Sequence, residues 1–453
     1  MYYNNWRFYL LLFILSSSPQ VLASGFQLWE QDGASIANYH AGYAALASDA
    51  SIAWYNPAGI PRIRNQQLVL GSAVILTDFK YKGTVIVQES TGAATFPGVT
   101  AQGGTFNVVP NLHYVAPLTD RIGFGFSITA PFGLKTNYGR TTPLKYAATL
   151  TSIKVIDVSP SIGFQINDHI SLGAGFDIQR VRANFNNVGL LIGGPELPLL
   201  ETETESQNQA DGTGYGYHLG FLYQIKPNAR VGLSYHSQVT HHLTGSSKFI
   251  GPISEVLIDS DVLKSNNAST RIKLPAYTAL STYYQFHPRA ALMATAVYTQ
   301  WSVFKNVTLK NIAAAIDDPD ELIVPSTNVT VIIPQHFRNT WNLSFGADYY
   351  LNDQVTLRGA IGYDQTPVPT RYRNVQLPDK DRYVFALGGH YQMSNAVGLD
   401  VGWTHLMMLS RAEINPPPQV MGGQTVFTNG EVRGGGDVYG MQITWNLDKP
   451  IEV

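Results

Sequence analysis

The sequence contains no cysteine, which excludes disulfides, thiol nucleophiles and thiolate metal sites. It is also poor in charge. Asp, Glu, Lys and Arg make up 14% of the chain, and 30 basic residues nearly balance 32 acidic ones, for a formal charge of −2. That balance argues against a nucleic-acid partner and against a polybasic membrane anchor. Beyond the N-terminus no run reaches the about 18 apolar residues that a spanning helix needs. Residues 8–15 are apolar, follow Arg7 and lead to Val21-Leu22-Ala23, the pattern of a secretory signal with a small-residue cleavage site. Residues 1–23 are therefore expected to be removed on export, leaving 29 basic residues against 32 acidic ones, a charge of −3.

What the chain has instead is alternation. Tyr439, Met441, Ile443, Trp445 and Leu447 are interleaved with Gly440, Gln442, Thr444 and Asn446. A period of two marks a strand, and one apolar face opposite a small polar face suits a wall between lipid and a wet interior. Val355, Leu357, Ile361 and Tyr363 oppose Thr356, Arg358, Ala360, Gly362 and Asp364 in the same way. So do Tyr383, Phe385, Leu387 and Tyr391 against Arg382, Gly388 and His390.

The turns separate a membrane barrel from a soluble sandwich. Short polar corners stand at Thr119-Asp120, Asn167-Asp168, Pro227-Asn228, Pro288-Arg289, Asn352-Asp353 and Ser394-Asn395, and the connections between them are long. Tight turns at one end and long loops at the other mark an outer-membrane barrel. Six turns join twelve strands, and one more at each end makes fourteen, an even number as closure requires. The expected strands begin at Gln66, Gly103, Arg121, Ser152, His169, Thr213, Ala229, Ser269, Ala290, Pro334, Gln354, Arg382, Ala396 and Val432. The expected fold is all-β, a 14-stranded antiparallel transmembrane barrel over residues 66–453. Residues 24–65 precede it as a compact segment rich in glycine and alanine, suited to fill a lumen, with short helical turns after Ser48 or Asp49 as caps.

Five motifs in order carry a family resemblance. They are Gly25-Phe26-Gln27-Leu28, Asn56-Pro57-Ala58, Asn111-Leu112-His113-Tyr114 running into Gly123-Phe124-Gly125, Asp364-Gln365-Thr366-Pro367, and Leu377-Pro378-Asp379-Lys380-Asp381-Arg382. Together they resemble the FadL family of outer-membrane transporters for long-chain fatty acids and other hydrophobic compounds. The resemblance implies a 14-stranded barrel with an N-terminal luminal hatch at residues 24–65, passive diffusion of the ligand, and a kink in the third strand that lets the ligand leave sideways. It also implies lipopolysaccharide and the barrel-assembly machinery as partners of a monomer. The chain departs from the implied terminal aromatic residue by running past Trp445 to Val453.

Candidate ligand contacts follow. Phe337, Trp341, Leu343 and Phe345 share the lipid parity, which places Arg338 on the lumen side with Thr340, Asn342 and Ser344. Arg358 is expected inward as well, because an arginine at the lipid midplane costs about 2–4 kcal/mol. The resemblance implies basic ligand contacts at Arg338 and Arg182, although Arg182 shares the parity of Phe176 and Ile178 and reaches a lumen only through a bulge or above the rim. A luminal arginine serves equally well as an ion-pair partner for Glu30, Asp32 or Asp49. Phe26, in the first motif, is a further candidate ligand contact. Pro131, Phe132 and Gly133, with Tyr146, Ala147 and Ala148, are candidates for the sideways opening; the alternative is an external loop. Apolar loop residues Leu190–Ile192, 197–200 and 312–316 are candidates for an external landing groove.

No catalytic set, cofactor or metal site is expected. His241-His242 lacks ligand spacing, His390 reads as a polar lumen residue, and the acidic group at 317–321 reads as a solvated loop. Three functions stay open: a fatty-acid channel, an aromatic-hydrocarbon channel of the same fold, and a general polar porin.

Overall fold

The computed structural model describes residues 25–89, 92–190, 203–318 and 322–448. Residues 1–23, expected as a signal, the apolar loop residues 191–192 and 197–200, Asp320 and Glu321, and the last residues 449–453 lie outside them. Fourteen strands form one closed ring. They are β1 (Gln67–Glu89), β2 (Gly92–Gln102 and Phe106–Pro117), β3 (Ile122–Thr129 and Gly133–Asn137), β4 (Leu150–Gln165), β5 (Ile170–Leu190), β6 (Glu203–Lys226) and β7 (Ala229–His236 and Val239–Ile250). The ring continues through β8 (Val262–Leu274 and Tyr277–His287), β9 (Ala290–Thr299 and Asn306–Asp318), β10 (Leu322–Pro334 and Thr340–Tyr350), β11 (Val355–Asp364), β12 (Arg382–Gln392), β13 (Val397–Met408) and β14 (Gln424–Asn446). Each pairs antiparallel with the next, and β14 closes on β1 from Gln67↔Asn446 to Gln88↔Thr425. Closure leaves no sheet edge.

The polar corners are tight turns: Leu118 donates to the Ile122 carbonyl at 2.8 Å, and Ile166, Leu351 and Met393 donate to Ile170, Val355 and Val397 at 2.9 Å. Starts after these corners fall within a residue of expectation. Starts at the other end lie earlier, at Glu203, Val262 and Gln424, because the strands continue beyond the lipid band where both faces are wet and the alternation fades. Residues 312–316, expected in a loop, are part of β9.

The outward face is the apolar one. Trp341, Phe345, Leu357, Ile361, Tyr383, Phe385, Met441 and Trp445 are all exposed. With no water in the hydrocarbon layer every spanning backbone group must be paired, which a closed ring achieves.

Residues 25–65 lie inside the ring, most of them towards the tight-turn end, while Gly25 and Phe26 reach up to the loop between Asp364 and Arg382 and to Trp301. Two short helices, α1 (Tyr43–Leu46) and α2 (Ile52–Tyr55), and a 3-10 turn, Pro57–Arg62, are joined by irregular backbone. Buried irregular backbone needs hydrogen-bond partners, and the wall supplies them on all sides. Ala50 donates to Gln67 of β1 (2.6 Å), Ala44 to Ser281 of β8 (3.2 Å), Gly42 to Thr295 of β9 (2.8 Å) and Gly33 to Gln442 of β14 (3.0 Å). Asn56 is the central brace. Its Oδ1 accepts from Ala58, and its Nδ2 donates to the Ala44 carbonyl at 2.6 Å and the Phe221 carbonyl of β6 at 3.1 Å. Pro57 starts the 3-10 turn, where a missing N–H costs nothing. The wall must also be thin here: a Cβ at Gly232 would strike the Ala44 carbonyl, and one at Gly173 the Pro57 backbone.

Candidate functional site

The third strand is broken as its Pro and Gly foretell. Ile122–Thr129 pairs with both β2 and β4, whereas Gly133–Asn137 pairs with β4 alone. From Leu112↔Ile128 up to the bond from Asn137 to the Gly103 carbonyl (3.0 Å), no backbone hydrogen bond joins β2 to β3 among the described residues. The N-terminal segment takes the vacant partner's role from inside: Leu28 donates to the Pro131 carbonyl at 2.9 Å, and Gly133 donates to the Phe26 carbonyl at 2.8 Å. Pro131, Phe132 and Gly133 therefore sit at an interruption of the wall. Tyr146, Ala147 and Ala148 do not. They belong to the link from β3 to β4, which folds inward, and all three are buried near the long-loop end.

Phe26, buried, lies in an aromatic cluster behind this interruption. Its ring centroid is 4.8 Å from Trp301, 5.2 Å from Phe304 and 6.0 Å from Phe132. Phe337 packs 4.9 Å from Phe304 and 5.5 Å from Trp301. The cluster continues through Leu134, Val155, Val181, Leu243 and Ile272 to Leu309, Ile312, Val331 and Ile333, all buried. At its upper end is a cavity of about 40 Å³, lined by Ala147, Ala148, Phe185, Phe249, Ile312 and Ile333 together with the neutral amides of Asn187, Asn208 and Gln376. That is room for about one water, so a larger guest must displace side chains.

The arginines fall differently from the sequence expectation. Arg338 does not face the lumen. β10 leaves the ladder between Pro334 and Thr340, with His336 at φ 45°, and this irregular stretch inverts the parity. Phe337 turns inward, 4% exposed, and the Arg338 side chain is 52% exposed, its guanidinium 4.0 Å from Asp381 and its Nε donating to the Thr366 carbonyl at 3.2 Å. Arg182 is likewise on the exposed face. β5 keeps a constant register against β4, Lys154 opposite Arg182, so no bulge turns it inward. Arg358 faces the lumen as expected, but its guanidinium is engaged by Asp400 (2.5 Å) and Asp348 (3.8 Å) of the wall. It is an internal ion pair, not a free cation for a ligand.

Two further arginines, not offered as ligand contacts from the sequence, are buried. Arg382 is ion-paired with Asp364. Arg373 donates its Nε to the Asp379 carbonyl at 2.6 Å, and its other nitrogens to the carbonyls of Val368 and Glu413. The loop between β11 and β12 that holds Arg373 also anchors the N-terminal segment. Asp379 Oδ2 accepts from Gly25 N–H at 3.0 Å and from the Thr366 hydroxyl at 2.5 Å. Burial pushes its carboxyl up to about 7. Lower down, burial and the neighbouring Asp49 push Asp32 up to about 6, and burial pushes His40 down to about 3. The first and last sequence motifs thus meet in space at Gly25 and Asp379. Trp301 and Phe304 carry one sequence signal, the lapse of alternation at Gln300–Phe304, visible only once β9 is known to break there.

A closed barrel with an apolar belt outside, its own N-terminal segment inside and an apolar track leading to an interrupted wall is the architecture of an outer-membrane transport protein. Residues 14–447 match the family described as outer membrane protein transport protein (OMPP1/FadL/TodX), and the chain belongs to that family. It is 27% identical over 407 residues to a long-chain fatty acid transport protein of Salmonella typhi, covering 86% of this chain and 88% of the relative. It is 25% identical to outer membrane protein P1 of Haemophilus influenzae, covering 85% and 86%. The crystal structure of a Pseudomonas aeruginosa FadL homologue superposes with a TM-score of 0.81 at 26% identity over 94% of this chain and all of the other. The Pseudomonas putida toluene transporter TodX shares the fold, with a TM-score of 0.64 at 19% identity over 93% of this chain and all of that one. The protein is thus an outer-membrane transporter of the FadL/TodX type, a class that handles hydrophobic compounds.

Proposed function

We propose that this protein admits long-chain fatty acids by diffusion, with residues 24–65 as a hatch and the break at Pro131–Gly133 as a sideways exit. The observation that carries this reading is the unbroken apolar cluster from Val331 and Ile333 to Phe26 and Phe132, ending where β2 and β3 part. Burying a methylene contributes about 0.8 kcal/mol, so a long tail gains on the order of 10 kcal/mol gross along such a track. The backbone below offers polar bonds everywhere and would not hold a tail. Similarity to long-chain fatty acid transport proteins at 25–27% identity supports this cargo over aromatic hydrocarbons. A closed ring without free edges supports a monomer.

The test is uptake of labelled oleate and labelled toluene by cells carrying this protein as their single such channel. Oleate is expected to enter faster than toluene. Entry of toluene alone would reassign the cargo, and entry of small sugars with neither would make the protein a polar porin.

A further inference from the structure

Outside the ligand track, one buried cluster has a composition the transport reading does not use. Asp177 of β5, His218 of β6 and His236 of β7 each present a ligand atom, all within 4.8 Å of one another. The two histidines are directly opposed in register and stack at 5.0 Å. Trp54 of α2 covers them, 4.6 Å from His236 and 5.8 Å from His218.

Three features point to a ligand. His218 Nδ1 and Asp177 Oδ1 are 2.6 Å apart, so one ion can take both in place of the hydrogen bond between them; His218 Nε2 is buried without a partner. Asp157 of β4, 0% exposed, has neither carboxylate oxygen bonded. It opposes Gln179, which puts it diagonal to Asp177 on the same inward face. Two carboxylates are therefore buried side by side, and among the described residues no Lys or Arg forms an ion pair with either.

We propose that Asp177, His218 and His236 bind a divalent transition metal of the zinc class, with Asp157 beside Asp177 as an outer carboxylate. Two imidazoles and one carboxylate, with water in the fourth position, suit Zn²⁺ or Co²⁺ and not a hard ion such as Ca²⁺. At metal–ligand distances of about 2.1 Å a tetrahedral ion draws its ligands to about 3.4 Å apart, within reach of side-chain rotation from the observed spacing. The ion fastens β5, β6 and β7 together at the level where Trp54 packs. This inference does not depend on which cargo the channel carries.

The experiment uses the untagged full-length protein in detergent, stripped with chelator and titrated with Co²⁺ and then Zn²⁺. One Co²⁺ per chain with a tetrahedral visible spectrum, displaced by Zn²⁺, is expected. Asp157→Asn is expected to weaken binding about 10- to 100-fold, and His218→Gln with His236→Gln to abolish it, folding being followed by heat-modifiable mobility. No retained metal and no spectrum in the native chain overturns the proposal, whether or not the variants fold. So does undiminished binding in a folded double variant, which would place the ion on exposed histidines such as His169, His242 and His287.

Discussion

The two halves of the lumen share one ring of strands and one inward parity, yet they hold opposite chemistries. At the tight-turn end the inward positions are Ser281, Thr295, Gln442 and Thr404, and each bonds the backbone of residues 25–65; the Thr404 hydroxyl, for example, donates to the Ile36 carbonyl at 2.6 Å. Towards the loops the same parity carries Val155, Val181, Leu243, Ile272, Leu309 and Ile333, which bond nothing and pack on one another. Irregular backbone inside a membrane protein demands polar partners, whereas a hydrocarbon tail demands their absence. The lower half is built to hold a peptide and the upper half to pass an oil.

The sharpest way to break this contrast is to empty the lower half. Deleting residues 24–65 is expected to leave the ring folded, because every strand pair lies outside the deleted segment, and to turn a tight channel into an ion-conducting pore. Single-channel recording reads this, and unchanged conductance would mean that the segment does not seal the lumen.

A single-residue version strikes the polar half from the wall. Arg358→Ala leaves buried Asp348 without a cation and buried Asp400 with His390 alone, 3.0 Å away, and breaking a buried pair costs about 3–5 kcal/mol. The temperature at which folded mobility is lost on gels should fall clearly. An equal fall for Asp348→Asn alone would show that Asp400 is the dispensable partner.

The junction between the halves is pH-sensitive at Asp379. Its carboxyl is raised by burial from 3.8 to about 7, so the folded state binds the proton more tightly than the unfolded state. That contribution is full below about pH 4 and is lost as pH rises through about 7, on the order of a few kcal/mol. Stability should therefore decline from pH 4 to 8, and Asp379→Asn should flatten the decline. A native-like slope in the variant would assign it elsewhere, Asp32 being the next group.

The smallest effect is expected at Arg338. An exposed arginine near one carboxylate is worth about 0–1 kcal/mol, so Arg338→Ala should change oleate uptake and stability little. A selective loss of oleate uptake with toluene unaffected would restore it as a contact for the ligand's head.

Fourteen strands, their tight-turn starts and the lipid-facing side were legible in the chain because the tight turns and the period of two are local. A run such as Tyr439 to Leu447 carries both in consecutive residues. Pro131 and Gly133 were legible as candidates for an interruption, since proline lacks the donor a ladder needs, but the sequence did not place the break to a residue, and Tyr146, Ala147 and Ala148, offered with them, lie elsewhere. The orientation of Arg338 was not legible. It depends on five residues leaving the ladder, and parity carries no information across such a gap.

Nor does parity tell what an inward side chain meets. Arg358 was placed correctly by its own strand, but the acids that hold it, Asp348 and Asp400, come from β10 and β13, 10 residues before it and 42 after it. Sequence alone determined that this chain is a barrel with a peptide left over at its N-terminus. Only the closure of that barrel decided that Gly25 meets Asp379, that Phe26 meets Trp301 and that Asp177 meets two histidines, because a ring brings inward side chains from distant strands to a common interior that no local pattern encodes.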